Sequence, residues 1–336
     1  MRNHLLYRLS GAWRLPCRKI VAAGIALLAA TNSFALPAQE QQFVTRMAAK
    51  HGFDAALLSQ QLQQARHRPS IIKAMSRPAE AKPWHQYRAI FLKQKRIEAG
   101  RAFMRKYRKE LQRAEETYGV PPHIIAAIIG VETLYGENTG SYPVLEALRT
   151  LAFGYPKRAK FFRSELEHYL LMAREESLDP LAPKGSYAGA MGMPQFMPSS
   201  FREYAVDFDG NGKRDLWYSP ADVIGSVGNY FSRHDWRSGE PVAFKLDKRP
   251  PGLPLGNRRG QKPNVTTGSI IKTGAELPRE VAALGKAAIL EYQQKNNREY
   301  WLGMHNFYVI TRYNHSNLYA MAVYQLAQEI NTISSQ

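Results

Sequence analysis

The chain has 336 residues, with 46 lysines and arginines against 28 aspartates and glutamates, and its formal net charge at pH 7 is +18. This length is enough for one large domain or for two, each with its own core. The basic excess predicts an anionic partner. The only cysteine is Cys17, so the chain cannot form an internal disulfide, and beyond that position thiolate nucleophiles and thiolate metal ligands are excluded.

Residues 1–35 have the pattern of a secretory signal peptide. An apolar run over residues 20–30 is followed by small residues, Ser33 and Ala35, and is preceded by five cations: Arg2, Arg8, Arg14, Arg18 and Lys19. The run is shorter than the roughly 20 residues that span a bilayer, and a retained transmembrane anchor is the alternative interpretation. Cys17 precedes the run, whereas the lipid-bearing cysteine of a bacterial lipoprotein follows it. We predict export, with cleavage after Ala35.

The region from residue 40 to about residue 113 has apolar residues every three or four positions among many charged ones, which predicts helices. Pro78 and Pro83 interrupt it. A break follows at residues 119–122, with the sequence GVPP, and Pro122 is suited to the first position of the next helix. The apolar stretch from Ile124 to Val131 makes that helix the start of a second, more apolar unit.

The rest of the chain predicts helices, a loop and a small β-rich insertion. Helical patterns lie near residues 144–153 and 158–177, and residues 184–197 form a stretch rich in glycine and methionine, of the kind that often carries a site. After Trp236, prolines, glycines and short alternating runs predict strands up to about Gly303. The last helix is amphipathic and has Ser316 as its N-cap. The predicted class is mainly α with a minor β portion.

Glu132 lies on the apolar side of its predicted helix. Ile125, Ile128 and Ile129 precede it by seven, four and three positions, so its carboxyl group projects along the same face. Desolvation there disfavours the charged form and raises the pKa, as a general acid working near neutral pH requires. The spacing alone leaves a second interpretation open, in which a glutamate at a helix end bends into water.

Residues 207–215, with the sequence DFDGNGKRD, reproduce the first half of an EF-hand calcium loop. Oxygen-bearing side chains occupy positions 1, 3 and 5, and glycine occupies position 6. Position 12 is Tyr218, where an EF-hand has a bidentate carboxylate. The pattern therefore fits either an incomplete calcium site or a turn rich in Asp, Asn and Gly that binds no ion.

Three motifs resemble the family of membrane-bound lytic murein transglycosylase B. They are GVPPHIIAAIIGVETLYG at 119–136, KGSYAGAMGMPQFMPSS at 184–200 and TRYNHSNLYAMAVYQL at 311–326. The resemblance runs from about Trp84 to the C-terminus and is weaker in the insertion. It implies a mainly α (α+β) fold, with a lysozyme-like catalytic core, an N-terminal helical domain and a small β-rich inserted domain.

The domain boundaries that follow are a signal peptide at 1–35, a helical domain at 36–118 and a lysozyme-like core with the calcium loop at 119–236. The β-rich insertion would occupy 237–304, and residues 305–336 would return to the core.

The resemblance implies that Glu132, in the GVET motif, is the single acid and base of a peptidoglycan lytic transglycosylase. It would protonate the oxygen between N-acetylmuramic acid and N-acetylglucosamine and then deprotonate the muramoyl 6-hydroxyl, which closes on C1 as a 1,6-anhydromuramoyl end. Most glycosidases use two carboxyl groups. The resemblance implies that this family needs only one, because no water has to be activated. Glu137 is therefore expected to be a surface residue. A muramidase-type hydrolase on the same fold and a non-catalytic wall-binding scaffold remain alternatives.

The resemblance also assigns side chains that hold the sugars. Ser186 and Gln195 would lie near the glutamate. Tyr313 and Asn314 would lie on the opposite wall. The more distant subsites would contain Tyr230, Tyr87 and Arg158. Aromatic faces suit sugar rings and guanidinium groups suit carboxylates, although core packing is the alternative role for any single tyrosine. Lys157 stands where close relatives often have arginine, so the resemblance does not carry the bidentate binding of a carboxylate over to this position.

Finally, the resemblance completes the calcium loop, because the longer loop of the family closes with the aspartate of a P-x-D-x-IGS segment, here Asp222. The implied ligands of a structural Ca²⁺ are Asp207, Asp209, Asn211, the backbone carbonyl of Lys213, and Asp222. No organic cofactor is implied. The implied partners are peptidoglycan glycan strands, whose carboxylates suit a basic chain, and complexes of cell-wall synthesis or turnover. Nucleic acid is not expected, and the implied location is the periplasm, with at most peripheral membrane association.

Overall fold

The computed structural model describes residues 36–76 and 82–332, and the described residues belong to one compact unit that begins at Leu36. The predicted signal peptide lies outside these residues. Helices dominate and the strands form small antiparallel sheets, so the predicted class is confirmed. Across 36–76 and 82–332, no helix is both long and apolar enough to cross a membrane. The subdivision at residues 118, 236 and 304 stays a prediction.

The N-terminal part contains six helices in the described residues: α1 (Ala38–His51), α2 (Ala55–Gln64), α3 (Pro69–Met75), α4 (Trp84–Phe91), α5 (Gln94–Lys106) and α6 (Arg108–Tyr118). Local signals set several of their ends. The chain leaves α1 through Gly52, whose φ of 65° suits a residue without a Cβ atom. Asp54 begins α2 because its carboxylate accepts hydrogen bonds from two backbone N–H groups of the first turn.

The centre of the fold is α7 (Pro122–Thr133), which begins at Pro122 as predicted. Ile125, Ile128 and Ile129 are each fully buried. The helix packs against α5 and against α15 (Asn317–Asn331). It also contacts α6 and α11 (Pro220–Arg233). Between α7 and α11 along the chain lie α8 (Val144–Gly154), a 3₁₀ turn (Pro156–Arg158), α9 (Ala159–Glu175) and α10 (Pro198–Tyr204). An element enclosed on all sides in this way explains the continuous apolar sequence of α7.

Two antiparallel sheets complete the described part of the chain. In the first, β1 (Tyr142–Pro143) pairs with β2 (Lys184–Gly185) and anchors the start of the stretch at residues 184–197, called the glycine-rich loop below. The second has the strand order β3-β6-β5-β4, formed by β3 (Ala243–Leu246), β4 (Val265–Thr266), β5 (Lys286–Gln293) and β6 (Arg298–Gly303). Two short helices, α12 (Thr267–Ile271) and α13 (Arg279–Ala282), pack on it around a small core of their own. The predicted β-rich segment forms this second sheet.

The last two helices, α14 (His305–Tyr313) and α15, return the chain to α7. As predicted, Ser316 caps α15: its hydroxyl accepts a hydrogen bond from the backbone N–H of Tyr319 at 3.4 Å. The apolar face of α15 is buried against α7. This packing brings residues 132 and 319 together although they are 187 positions apart.

Candidate active site

The end of α7 fixes the position of Glu132. The helix stops one residue later because Leu134 and Tyr135 both have left-handed φ angles, of 52° and 58°. Thr133 ties this end to the glycine-rich loop, since its hydroxyl donates to the carbonyl of Met193 at 2.8 Å. Two consecutive non-glycine residues in the left-handed region are strained, and tertiary packing must hold such a conformation, as often happens at functional sites.

The Glu132 side chain is half-buried and points into the fold. The Tyr319 hydroxyl donates a hydrogen bond of 2.6 Å to its Oε1 atom. Burial raises the pKa of Glu132 from 4.5 to about 7, and the hydrogen bond from Tyr319, which favours the carboxylate, opposes part of that rise. The negative end of the α7 dipole also disfavours the ionised form. Both protonation states of Glu132 are therefore accessible near neutral pH.

Tyr319 and Tyr313 form a stacked pair beside Glu132. Their ring centroids are 6.4 Å apart and the ring planes differ by 8°. The Tyr313 hydroxyl donates to the carbonyl of Pro194 at 2.5 Å, so it joins α14 to the glycine-rich loop. Burial and the neighbouring Glu132 carboxyl raise the pKa of both tyrosine hydroxyls well above the ordinary value. Both therefore stay protonated, as hydrogen-bond donors, over the range in which Glu132 titrates.

The glycine-rich loop presents Ser186 and Gln195. The Ser186 hydroxyl accepts hydrogen bonds from the backbone N–H groups of Ala188 and Ala190, at 3.3 and 3.1 Å, which leaves its own proton to donate. Gln195 has a left-handed φ of 52°, and its side-chain amide donates to two backbone carbonyls at 3.1 and 2.9 Å. Because Thr133 and Tyr313 bind the same loop, the structure places both predicted residues on the segment that adjoins Glu132.

The other predicted binding residues lie in varied surroundings. Asn314 is exposed at the end of α14. Arg158 is exposed in the turn before α9, with its guanidinium carbon 4.2 Å from the centre of the Phe161 ring. Tyr230 and Tyr87, in contrast, are only 7% and 6% exposed. The exposed pair is accessible to a ligand, whereas the two tyrosines are held within the protein.

Tyr230 lies in an aromatic cluster. Its hydroxyl donates to the carbonyl of Arg312 at 2.6 Å, and its ring stacks on His234 with the centroids 4.1 Å apart. It also contacts Tyr313 edge to face at 4.8 Å. Tyr87 stacks on Trp84, with the ring centroids 6.4 Å apart. Core packing explains the positions of both tyrosines, and their contact with substrate stays a prediction.

Glu137 and Lys157 lie at the surface. Glu137 is exposed and its carboxylate pairs with the Lys95 ammonium group at 3.0 Å. Lys157 is exposed in the same turn as Arg158. Glu137 is therefore a matched control for Glu132: it is the same residue type only five positions away, and it lies outside the buried site.

Glu132→Gln is expected to stabilise the protein above neutral pH. A carboxyl group whose folded-state pKa is raised from 4.5 to about 7 contributes most to stability below its unfolded pKa and loses that contribution as pH rises through 7. The neutral amide keeps the shape and avoids this loss, so the free energy of unfolding should exceed the wild-type value by up to about 3 kcal/mol at pH 8. Urea unfolding at pH 8 and pH 4 measures it. Equal stabilities at pH 8 would contradict the raised pKa; Glu137→Gln should show no such difference.

The aspartate-rich loop gathers three carboxylates. Ligand oxygens of Asp207, Asp209 and Asp222 all lie within 4.8 Å of one another. Asp207 organises the loop by accepting hydrogen bonds from the backbone N–H groups of residues 210, 211 and 212. Asp222 is fully buried, and desolvation raises the pKa of its carboxyl although three backbone N–H groups donate to it. The donor set is all oxygen, which fits Ca²⁺.

Asn211 and Lys213 lie in the exposed part of this loop. The backbone N–H of Lys213 donates to the Asn211 side-chain oxygen at 2.9 Å. Asp209 accepts a hydrogen bond from the hydroxyl of Ser219, the N-cap of α11, at 2.8 Å. The helix that carries Asp222 is thus joined to the loop, and Tyr218, at position 12 of the EF-hand pattern, is 84% exposed and plays no part in the cluster.

Tyr319 is the site residue that the sequence did not reveal. The sequence places Tyr319 on the last helix, where the three- and four-residue spacing predicts that it lies on the apolar face together with Val323 and Leu326. Nothing in that pattern distinguishes a tyrosine packed for its ring from one whose hydroxyl reaches a buried carboxyl group. A buried tyrosine hydroxyl usually has a hydrogen-bond partner. This rule predicts that Tyr319 has a partner, but it does not identify the partner as Glu132.

Known proteins resemble this chain over most of its length. The transglycosylase SLT domain matches residues 36–328. Membrane-bound lytic murein transglycosylase B of Escherichia coli K12 is 44% identical over 309 residues, which are 89% of this chain and 84% of that protein. The crystal structure of soluble lytic transglycosylase SltB1 from Pseudomonas aeruginosa is 47% identical, with a TM-score of 0.81, and covers 87% of this chain and 98% of its own.

Two further structures were solved with bound species. The Escherichia coli lytic transglycosylase Slt35 in complex with calcium is 44% identical, with a TM-score of 0.81, and covers 89% of this chain and 94% of its own. SltB3 from Pseudomonas aeruginosa in complex with NAG-anhNAM-pentapeptide is 30% identical, with a TM-score of 0.75, and the match covers 86% of this chain and 78% of the SltB3 chain. The chain therefore belongs to the transglycosylase SLT family and is a lytic murein transglycosylase.

Proposed function

We propose that the enzyme cleaves the β-1,4 bond between N-acetylmuramic acid and N-acetylglucosamine with Glu132 as its only acid and base. The observation that carries this proposal is a half-buried carboxyl group with a pKa of about 7, held by a neutral tyrosine, with no second carboxyl group from the described residues affecting it. A glycosidase that activates water uses a second carboxyl group for that step. One carboxyl group suits a substrate that supplies its own nucleophile.

In the proposed reaction, Glu132 donates its proton to the bridging oxygen while the bond from that oxygen to the muramoyl C1 breaks. The Glu132 carboxylate then takes the proton of the muramoyl 6-hydroxyl as O6 bonds to C1. The products are a 1,6-anhydromuramoyl end and a free 4-hydroxyl on N-acetylglucosamine. No water is consumed, and Glu132 ends the cycle protonated. A pKa near the working pH suits a group that must both give and receive a proton.

The surrounding side chains hold the glutamate and the sugars in place. Tyr319 stabilises the carboxylate that forms after the first proton transfer, because its hydroxyl is fixed by burial before the reaction begins. Ser186 has a hydroxyl proton to donate to a sugar. We assign Gln195, Tyr313 and Asn314 to the same cleft, and Arg158, Tyr87 and Tyr230 to more distant positions.

Product analysis tests this function. Purified sacculi digested with the enzyme should release muropeptides that carry 1,6-anhydromuramoyl ends, each lighter by one water than the corresponding reducing-end product. Mass spectrometry with and without borohydride reduction separates the two, because only a reducing end takes up hydrogen. Reducing ends as the main product would instead identify a muramidase-type hydrolase, and an absence of release would identify a scaffold.

The proposed substrate is a peptidoglycan glycan strand with its peptide stems. SltB3 was solved with a pentapeptide-bearing fragment, and the strong positive charge of this chain would favour its encounter with an acidic polymer. We propose a periplasmic location after cleavage at Ala35. N-terminal sequencing of the protein from its native host should give Leu36 as the first residue; an intact Met1 would reject the cleavage.

We propose that the aspartate-rich loop binds a structural Ca²⁺ through Asp207, Asp209, Asn211, the carbonyl of Lys213, and Asp222. Three clustered carboxylates repel one another, and a divalent cation would neutralise that repulsion. Slt35 crystallised with calcium supports the choice of ion. Calcium would stabilise the junction between the loop and α11, and the proton transfers of Glu132 need no metal.

Calcium is expected to raise the melting temperature of the full chain, because a ligand that binds only the folded state stabilises it by mass action. At a concentration of 100 times the dissociation constant the gain is about 2.7 kcal/mol. Asp207→Asn should abolish the effect while it keeps an oxygen acceptor for the loop. Asp247→Asn, at an exposed position outside the loop, should keep it. A calorimetric melt unaffected by calcium in the wild-type protein would reject the site.

A further inference from the structure

A separate pocket of about 320 Å³ lies where α4, the four-stranded sheet and the beginning of α15 meet. Its walls include Lys82, Trp84, Arg258, Glu291, Tyr292 and Asn317. The Trp84 ring contacts two other rings, with its centroid 6.4 Å from Tyr87 and 5.2 Å from Tyr292. The pocket therefore has rigid aromatic walls and a size suited to part of a small ligand.

Two residues that line this pocket each carry a polar atom that is buried without a hydrogen-bond partner among the residues that the structure describes. These atoms are the indole Nε1 of Trp84, a residue only 1% exposed, and the amide Oδ1 of Asn317, which is 7% exposed. Burying an unpaired donor or acceptor is unfavourable, and such atoms usually have a partner, such as an ordered water or a ligand.

The orientation of the Asn317 amide is fixed by its surroundings. Its Nδ2 group donates to the carbonyl of Asn257 at 2.6 Å, and a carbonyl can only accept, so Oδ1 must be the atom left unpaired. The Tyr292 hydroxyl holds the backbone of Asn317 by donating to its carbonyl at 3.0 Å. Two residues on the walls of the pocket thus carry one unpaired N–H donor and one unpaired C=O acceptor, and this pair of groups is the complement of a secondary amide.

The charge of the pocket is positive. Lys82 and Arg258 line it and are exposed, and neither forms an ion pair within residues 36–76 and 82–332. Among the described residues that line the pocket, Glu291 is the only acidic one, and it is paired with Arg298 at 3.1 Å. An amide with an anionic group next to it would therefore match the pocket better than a neutral amide.

We propose that this pocket binds a muramoyl peptide through a secondary amide, which would bridge Trp84 and Asn317, and through a carboxylate beside Arg258. This identification of the ligand rests on the proposed function. Asn317 lies two residues before Tyr319 on α15, and Trp84 packs on Tyr87, so the pocket adjoins the helices that position Glu132. A bound peptide stem would anchor a glycan strand against the same helix.

The amide has two possible sources, the N-acetyl group of the sugar and the peptide bonds of the stem. The Trp84 indole N–H resonance of the full chain, labelled with ¹⁵N-tryptophan and assigned by its loss in Trp84→Phe, reports hydrogen-bond formation. The probes are N-acetylmuramoyl-L-alanyl-D-isoglutamine, free L-alanyl-D-isoglutamine and methyl N-acetylglucosaminide. None of them contains a cleavable bond between sugars. We expect the muramoyl dipeptide to shift the resonance, and the smaller probe that reproduces the shift identifies the source.

Arg258→Ala tests the anionic part of the ligand. It should weaken muramoyl dipeptide binding roughly three- to ten-fold, because it removes a charge-assisted contact at an exposed position. Arg259→Ala is the matched control: it removes the same charge from the next residue, which is exposed and does not line the pocket. Both substitutions leave the backbone hydrogen bond from Asn317 to the carbonyl of Arg258 in place.

An unmoved Trp84 resonance at saturating muramoyl dipeptide would overturn the proposal and leave ordered water as the partner of both atoms. Equal affinities of Arg258→Ala and Arg259→Ala would overturn the anionic part. Both results are independent of the mechanism. If the resonance stays unmoved while Glu132→Gln abolishes anhydro products, only the pocket is rejected. If it moves while Glu132→Gln remains active, the mechanism is rejected instead.

Discussion

Glu132→Gln is expected to lower kcat/KM for the cleavage of glycan strands by at least roughly 10² to 10⁴-fold, the typical contribution of general acid–base catalysis. The glutamine keeps the size of the side chain and can still accept the hydrogen bond from Tyr319, but it has no proton that it can transfer. The loss should be larger than for a two-carboxyl enzyme, because the same group serves both proton transfers. Release of soluble muropeptides from sacculi measures the rate.

Binding should survive this substitution, since the sugar contacts do not require the proton of Glu132. The variant should therefore sediment with purified sacculi as the wild-type protein does. Glu137→Gln, the matched exposed control, should retain the wild-type rate because its carboxylate only pairs with Lys95 at the surface. Undiminished release of anhydro products by Glu132→Gln would remove this residue from the mechanism.

Tyr319→Phe is expected to lower kcat roughly 10- to 100-fold, because a hydrogen bond to an ionised group contributes about 1.5–3 kcal/mol and each 1.4 kcal/mol is a factor of ten. Wild-type activity should fall as pH rises through about 7, where Glu132 loses its proton. Without the tyrosine hydroxyl the carboxylate is less stable, so the pKa of Glu132 rises further. The fall in activity should therefore move to higher pH in the variant.

The pH profile separates this role from a structural one. Tyr324→Phe removes a hydroxyl from the same helix, and that hydroxyl donates to the backbone carbonyl of Ala243 at 3.2 Å, away from Glu132. It should leave the position of the profile unchanged even if it lowers stability. A Tyr319→Phe enzyme whose profile coincides with that of the wild type would show that the hydroxyl does not control the pKa of Glu132.

Much of the fold is predictable from the sequence, because local signals are strong in this chain. Pro122 and Ser316 begin helices at the positions that their chemistry predicts, since a proline needs no N–H bond in the first turn and a serine hydroxyl accepts one. The apolar run from Ile124 to Val131 also predicts the start of a more apolar unit, and α7 is the helix that forms there. The division of the chain into an α-rich part and a small β-rich part follows from the same kind of pattern.

The sequence also identifies Glu132 as the catalytic candidate, by two separate arguments: the spacing of apolar residues and the resemblance to a known family. The spacing of Glu132 from Ile125, Ile128 and Ile129 predicts burial and a raised pKa. The assignment of one residue as both acid and base, and of Ser186, Gln195 and the tyrosines as sugar ligands, follows only from the resemblance of three motifs. The aspartate-rich loop shows the same limit, because its own pattern fails at Tyr218 and only the tertiary fold brings Asp222 to the other carboxylates.

The helices, the β-rich segment, the apolar face that carries Glu132 and the family motifs can therefore be recognised from the sequence. The contacts between distant side chains depend on the tertiary structure: Tyr319 reaches Glu132, Tyr313 reaches the glycine-rich loop, and Trp84 and Asn317 line one pocket. The difference arises from the sequence separation over which each interaction acts. Helix signals act within a few residues, whereas the hydrogen bond from Tyr319 to Glu132 spans 187 positions and forms only after α15 has packed against α7.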